Sequence, residues 1–120
     1  MIWLEDLAQL DEAMTSGPQI VYKHSPTCGL SARAAAQIAE VERVRSDVPL
    51  YAVDVIHHQE ISRALAVRLE VGHESPQVFV VQEGQVRWHA SHHRVTAVSI
   101  LEALALIDPG QTESVVRLHG

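Results

Sequence analysis

Apolar positions recur with two different periods along this chain of 120 residues. Leu4, Leu7, Leu10 and Met14 keep helical spacing and Ser16-Gly17-Pro18 follows as a stop signal, which predicts an amphipathic helix over residues 3 to 15. Ile20, Val21 and Tyr22 make residues 19 to 23 a short buried strand. Thr27 then stands as the N-cap of a second helix, whose Leu30, Ala34, Ile38, Val41 and Val44 share one face and which ends near Ser46-Asp47. Residues 50 to 55 predict another strand. Residues 59 to 70 predict a helix that buries Ile61, Leu65 and Leu69, with Gly72 just beyond it as a left-handed cap. Val78 to Val81 is a strand, Glu83-Gly84 a turn, and Val86-Arg87-Trp88 the return arm of a β-hairpin. A last helix, residues 95 to 107, carries Ala97, Leu101, Leu104 and Ile107 on one side.

The order α-β-α-β-α-β-β-α constrains the topology. A β-α-β start requires a parallel pair with a right-handed crossover, and a closing hairpin adds antiparallel strands. The expected fold is α/β, a mixed central sheet of about four strands with helices on both faces, which is the thioredoxin-like arrangement. Residues 1–108 are read as a single domain. Residues 109–120 begin with Pro-Gly and hold only the short apolar pair Val115-Val116, so they form a tail whose order the sequence leaves open.

Composition narrows the function. With 47% hydrophobic and 20% charged residues the chain can build a core. Its formal charge of −6 has the wrong sign for binding nucleic acid or anionic lipid. The start, Met-Ile-Trp-Leu-Glu-Asp, has no basic leader or apolar export segment, and no apolar run is long enough to span a bilayer, so a cytoplasmic protein is expected. Cys28 is the single cysteine, which excludes an intramolecular disulfide and leaves one thiol to explain.

That thiol stands between a strand and the first turn of a helix, in Lys23-His24-Ser25-Pro26-Thr27-Cys28-Gly29-Leu30-Ser31. At a helix N-terminus the unpaired N–H groups and the positive end of the macrodipole favour thiolate over thiol, and thiolate is the nucleophile. Lys23, His24 and Arg33 could add to the field. Ser31 lies one turn beyond Cys28 on the same face, where a Cys-x-x-Cys enzyme holds its resolving thiol. Serine cannot resolve a mixed disulfide, so an external thiol must do so. His73-Glu74-Ser75-Pro76-Gln77 precedes the third strand. In a thioredoxin-like sheet that loop runs beside the cysteine helix, its proline is expected cis, and the Ser75 backbone is expected to face the thiol and pair with an extended substrate segment.

Lys-His-Ser-x-x-Cys-x-x-Ser at 23 to 31, His-Glu-Ser-Pro-Gln at 73 to 77, Gly84, and Trp88-x-Ala90-Ser91-His92 with Thr96 together resemble the monothiol bacilliredoxins of the bacillithiol system, the YtxJ-type thioredoxin-like proteins. The resemblance implies a cytoplasmic bacterial protein that removes bacillithiol from S-bacillithiolated client proteins. It makes Cys28 the attacking thiol, Ser31 the replacement for a resolving cysteine and Pro76 the cis-proline. It implies no bound cofactor, with bacillithiol as co-substrate. Lys23, His24, Thr27, Gly29, Ser75 and His92 would form the surroundings. Gly29-Leu30 departs from the Pro-Ile of the family pattern and loosens the first helical turn.

Three other readings compete. Cys-Gly-Leu-Ser is similar to the Cys-Gly-Phe-Ser of monothiol glutaredoxins, which use glutathione and can share an iron-sulfur cluster, but residues 82 to 94 lack their Gly-Gly-x-Asp stretch. Arsenate-reductase-like proteins match the first motif and not the second. A non-catalytic thioredoxin-like binding or stress module would leave Cys28 incidental. The eight histidines do not supply zinc-ligand spacing with one cysteine, so no metal site is expected. His92 is expected to cap the last helix or line the active surface, while Trp88 and Trp3 are expected to pack.

Overall fold

The computed structural model describes residues 1–14 and 17–108. Ser16 of the first stop signal and the 109–120 tail lie outside the described residues. The elements are β1 (Ile2–Trp3), α1 (Leu7–Ala13), β2 (Gln19–His24), α2 (Gly29–Val44), β3 (Leu50–Asp54), α3 (Gln59–Leu69), β4 (Gln77–Gln82), β5 (Gln85–Ser91), a short 3₁₀ turn (His92–Arg94) and α4 (Ala97–Ile107). Among the described residues the sheet has five strands in the order β1-β3-β2-β4-β5. β1, β3 and β2 are mutually parallel, β4 runs against β2, and β5 runs against β4.

The fifth strand corrects the expected four. Ile2 and Trp3 pair with Tyr51 and Ala52, and the Leu4 N–H donates to the Ala52 carbonyl at 2.8 Å. Leu4 is therefore buried as the continuation of an edge strand, although its spacing to Leu7 and Leu10 fits a helix. The helix itself starts at Leu7 because Asp6 caps it, its carboxylate accepting the Gln9 N–H at 2.8 Å.

Alternation along the strands divides the core in two. Ile20, Tyr22, Ala52, Val78 and Val80 face the side covered by α2 and α4, with Ala34, Ile38, Val41, Ile100 and Leu104 packed on them. Val21, Val53, Phe79 and Val81 face the other side, under Leu10 of α1 and Ile61, Leu65 and Leu69 of α3. Each fully buried aliphatic side chain contributes about 1.5–3 kcal/mol of transfer free energy, so the two stripes fix both helix pairs on the sheet. Arg45 locks the far end of α2 to that of α4: its guanidinium, 3% exposed, reaches the carboxylates of Asp47 at 3.1 Å and Asp108 at 2.8 Å.

Turn chemistry explains the remaining boundaries. Glu83 and Gly84 both have positive φ, 55° and 73°, as a tight two-residue hairpin turn demands. The left-handed residue that closes α3 is Glu70 (φ 56°), two positions before the expected Gly72. α4 begins at Ala97 rather than Val95, because Thr96 is its cap and Oγ1 accepts the Ser99 N–H at 3.3 Å. No helix among the described residues is long and apolar enough to cross a membrane.

Candidate functional site

β2 delivers the chain to the carboxyl end of the sheet, and α2 starts five residues later, at Gly29. Cys28, not Thr27, is the N-cap of α2: its backbone is extended (φ −107°, ψ 127°) and its carbonyl accepts the N–H groups of Ser31 at 3.1 Å and Ala32 at 3.3 Å. Thr27 lies exposed in the turn before it. The Cys28 N–H donates to the Ser25 carbonyl at 3.2 Å, and the half-buried thiol makes no capping bond of its own. The N–H groups of Gly29 and Leu30 have no carbonyl behind them in the helix, so the start of α2 presents donors beside the sulfur. A Cβ on Gly29 would meet nothing within 4 Å, so the surface there is open.

Ser31 is fully buried one turn along. Its Oγ accepts the Ser25 N–H at 3.1 Å, and its carbonyl accepts the Tyr22 hydroxyl at 3.0 Å. The residue that stands at the resolving position therefore ties the helix start to the strand end. Ser31→Ala is expected to leave thiol exchange in place while orphaning a buried N–H, at a cost of about 1–2 kcal/mol in chemical denaturation. A loss of exchange in the folded variant would give Ser31 a chemical role.

Tyr22, which the sequence presents as strand filler, lies beneath that turn. Burial pushes its phenol up to about 12, against the bond to Ser31 and with the Cys28 sulfur adding to the rise. Since its single proton goes to the Ser31 carbonyl, the 2.7 Å contact with His24 Nδ1 is a bond that the imidazole donates. Burial also lowers the His24 pKa, with Asp54 opposing, so this ring is neutral at pH 7. Trp3, expected to pack, is 45% exposed and stands edge-on to His24 at 5.8 Å. Trp88 packs against the α2/α4 core as expected.

Lys23 does not join the thiol. Strand alternation turns it to the α3 side of the sheet, where it is fully buried and its ammonium meets His73 Nδ1 at 2.6 Å. Burial lowers the Lys23 pKa to about 8, with Glu74 opposing. Burial, then the Lys23 charge, lowers that of His73, which the Ser62 hydroxyl also reaches at 3.1 Å. Of the three expected cations, His24 stays on the α2 side with Tyr22 as a neutral ring, and Arg33 is the one that keeps its charge there.

Lys23 works on the other candidate motif instead. It pairs in register with Gln77, so Ser75-Pro76 lies at the same end of the sheet as the Ser25–Cys28 turn, and that peptide bond is cis as expected. Buried Gln77 clamps the loop by accepting the Glu74 N–H and donating to the Gly72 carbonyl, both at 3.2 Å. His92 closes it from the far side. It does not cap α4; in a left-handed conformation (φ 56°) it donates its N–H to the Pro76 carbonyl at 2.9 Å and sets Nε2 3.2 Å from Glu74. No three metal-ligating side chains are grouped among the described residues.

A lone cysteine at the N-cap position of a helix after a central strand, with a cis-proline loop at the same sheet end, defines a thioredoxin-fold thiol oxidoreductase. Residues 3–100 match the family described as monothiol bacilliredoxin BrxC, and the chain belongs to that family. A solved structure described as a candidate oxidoreductase with a thioredoxin fold is 30% identical, with a TM-score of 0.80 over 85% of this chain and 91% of that one. Fasciola hepatica thioredoxin shares 18% identity at a TM-score of 0.69, over 88% and 97% of the two chains. Chlamydomonas reinhardtii thioredoxin f2 shares 12% at 0.70, over 91% and 97%. These two likenesses concern the fold alone.

Proposed function

We propose that this protein removes bacillithiol from S-bacillithiolated proteins by a one-cysteine route. The observation that carries the reading is the pair Cys28 and Ser31: a thiol at the helix start, with a buried hydrogen-bonded serine where a second thiol would be. The Cys28 thiolate attacks the bacillithiol sulfur of the mixed disulfide, the client thiolate leaves and takes a proton, and bacillithiol stays bonded to Cys28. A second small thiol then attacks that disulfide, carries bacillithiol away as a disulfide and returns Cys28 to the thiolate. The Ser75 backbone, ahead of the cis bond, pairs with the extended client segment. Family membership supports a small-thiol partner.

Intact-protein mass spectrometry of the reduced protein, incubated separately with oxidised bacillithiol and oxidised glutathione, tests this. The expected result is a single bacillithiol adduct that forms faster than the glutathione adduct. Preference for glutathione would move the protein to glutaredoxin-like chemistry, and no adduct with either would overturn the exchange mechanism.

A further inference from the structure

Between the first two turns of α2 and the 3₁₀ turn lies a cavity of about 120 Å³, lined in part by Leu30, Arg33, Gln37, His92, His93 and Thr96. We propose that it is a subsite for the carboxylate-bearing end of the small thiol that Cys28 exchanges. The inference rests on the reading of Cys28 as the exchanging thiol and adds what the rest of the ligand must look like.

The lining is rich in donors. Gln37 Oε1 already accepts the Ala97 N–H at 2.8 Å, and its NH₂ group stays available as a donor. Thr96 Oγ1 already accepts the Ser99 N–H, and its O–H stays available as a donor. No acidic residue lines the cavity, and neither α2 nor α4 has an acid in its first turn. In a chain with a formal charge of −6, this is a local reversal of sign. Glu74 is the acid that reaches this corner, and it is engaged with His92.

Arg33 brings a fixed positive charge to this lining. Arg43, Arg45, Arg63 and Arg68 each hold a side chain of this protein: Glu40, Asp47 with Asp108, Gln59 and Asp11. Arg33, like Arg87 and Arg94, has no such partner among the described residues, and of these three it is the one that lines the cavity. Its Cα lies five residues beyond Cys28, about 7.5 Å along the helix axis and about 140° around it, and helical side chains lean back toward the N-terminus, the end of α2 at which the thiol stands. A small thiol bonded to Cys28 can span that distance. A guanidinium recognises a carboxylate by two parallel hydrogen bonds, which a neutral ligand cannot accept in the same way.

The test compares bis(2-carboxyethyl) disulfide with bis(2-hydroxyethyl) disulfide, which share chain length and reacting bond and differ in the acid. The readout is the rate of Cys28 adduct formation by quenched-flow mass spectrometry, taken as the ratio of the anionic to the neutral disulfide. The ratio cancels any change in the reactivity of the thiol itself. Arg33→Gln is expected to lower it about fivefold, the size of one partly exposed charged contact. Arg94→Gln removes the same charge from the 3₁₀ turn outside the cavity and is expected to keep the wild-type ratio. An unchanged ratio in Arg33→Gln, or an equal fall in Arg94→Gln, would overturn the subsite. Preference for glutathione over bacillithiol would overturn the proposed function alone and leave the Arg33-dependent ratio standing.

Discussion

Cys28→Ser is expected to lose all adduct formation and transfer while folding to a more stable protein. Cys28 carries the only sulfur that could form the mixed disulfide, since the chain has one cysteine and its methionine thioethers cannot undergo exchange. A serine hydroxyl in its place stays protonated at neutral pH and cannot take the place of the thiolate that attacks a disulfide. Loss of exchange should therefore be complete rather than partial. Residual transfer in this variant, measured by release of bacillithiol from a labelled client, would remove Cys28 from the mechanism.

The gain in stability follows from the cap. The Cys28 backbone is already in the extended conformation of an N-cap, and its carbonyl already accepts the first helical bonds, yet its side chain caps nothing. Serine is among the preferred residues there, because its oxygen accepts one of the unpaired N–H groups at the start of α2. Chemical denaturation should show the variant more stable by about 0.5–1 kcal/mol. The thiol thus occupies a position that a better cap would stabilise, and the donors that would satisfy that cap stay available to a negative sulfur. An inactive variant with unchanged or lower stability would show that the helix start is not open to a side-chain acceptor.

Much of this was legible in the sequence, and the omissions share a cause. Strand-turn-helix around Cys28, the serine one turn on and the proline loop are local in sequence, and local spacing predicts local structure. The edge strand Ile2–Trp3 has no signal in the sequence because two residues have no period of their own; their pairing with Tyr51 and Ala52 makes them a strand. Lys23 and His24 are neighbours in the chain, so a linear reading sends both toward Cys28. In a strand, successive side chains face opposite ways, and one of the two had to leave the site. The alternation Ile20, Tyr22, His24 against Val21, Lys23 was available to make that distinction. His92 as a clamp on Pro76 was not available, because it depends on a left-handed residue that is not glycine. Tyr22 and Gln77 matter through what lies across the sheet, which no short motif reports.

Lys23 leads to the second large effect, a stability that climbs with pH. Its ammonium is fully buried, and its native pKa of about 8 lies below the unfolded value of 10.5. The native state therefore binds fewer protons than the unfolded chain between those limits, and unfolding free energy rises with pH across that window. The burial penalty is fully present below about pH 8 and is relieved as pH approaches 10.5; the difference corresponds to about 3 kcal/mol. Lys23→Met keeps the buried chain and removes the charge, leaving His73 its contact with Ser62. Denaturant titrations of both proteins from pH 7 to 10.5 should show the variant more stable at neutrality, with the advantage shrinking as Lys23 in the wild type loses its proton. Tyr22, held up to about 12 by burial, is common to both and cancels in the difference. A second window opens at low pH. His73 is depressed by burial and by Lys23, so protonating it sets two cations 2.6 Å apart, and the wild type should lose stability faster than the variant as pH falls below 6.5. A difference that stays flat across both windows would mean that the charge under the proline loop is solvated after all. If it changes as expected, β2 holds that loop in place through a cation whose burial costs stability at neutral pH.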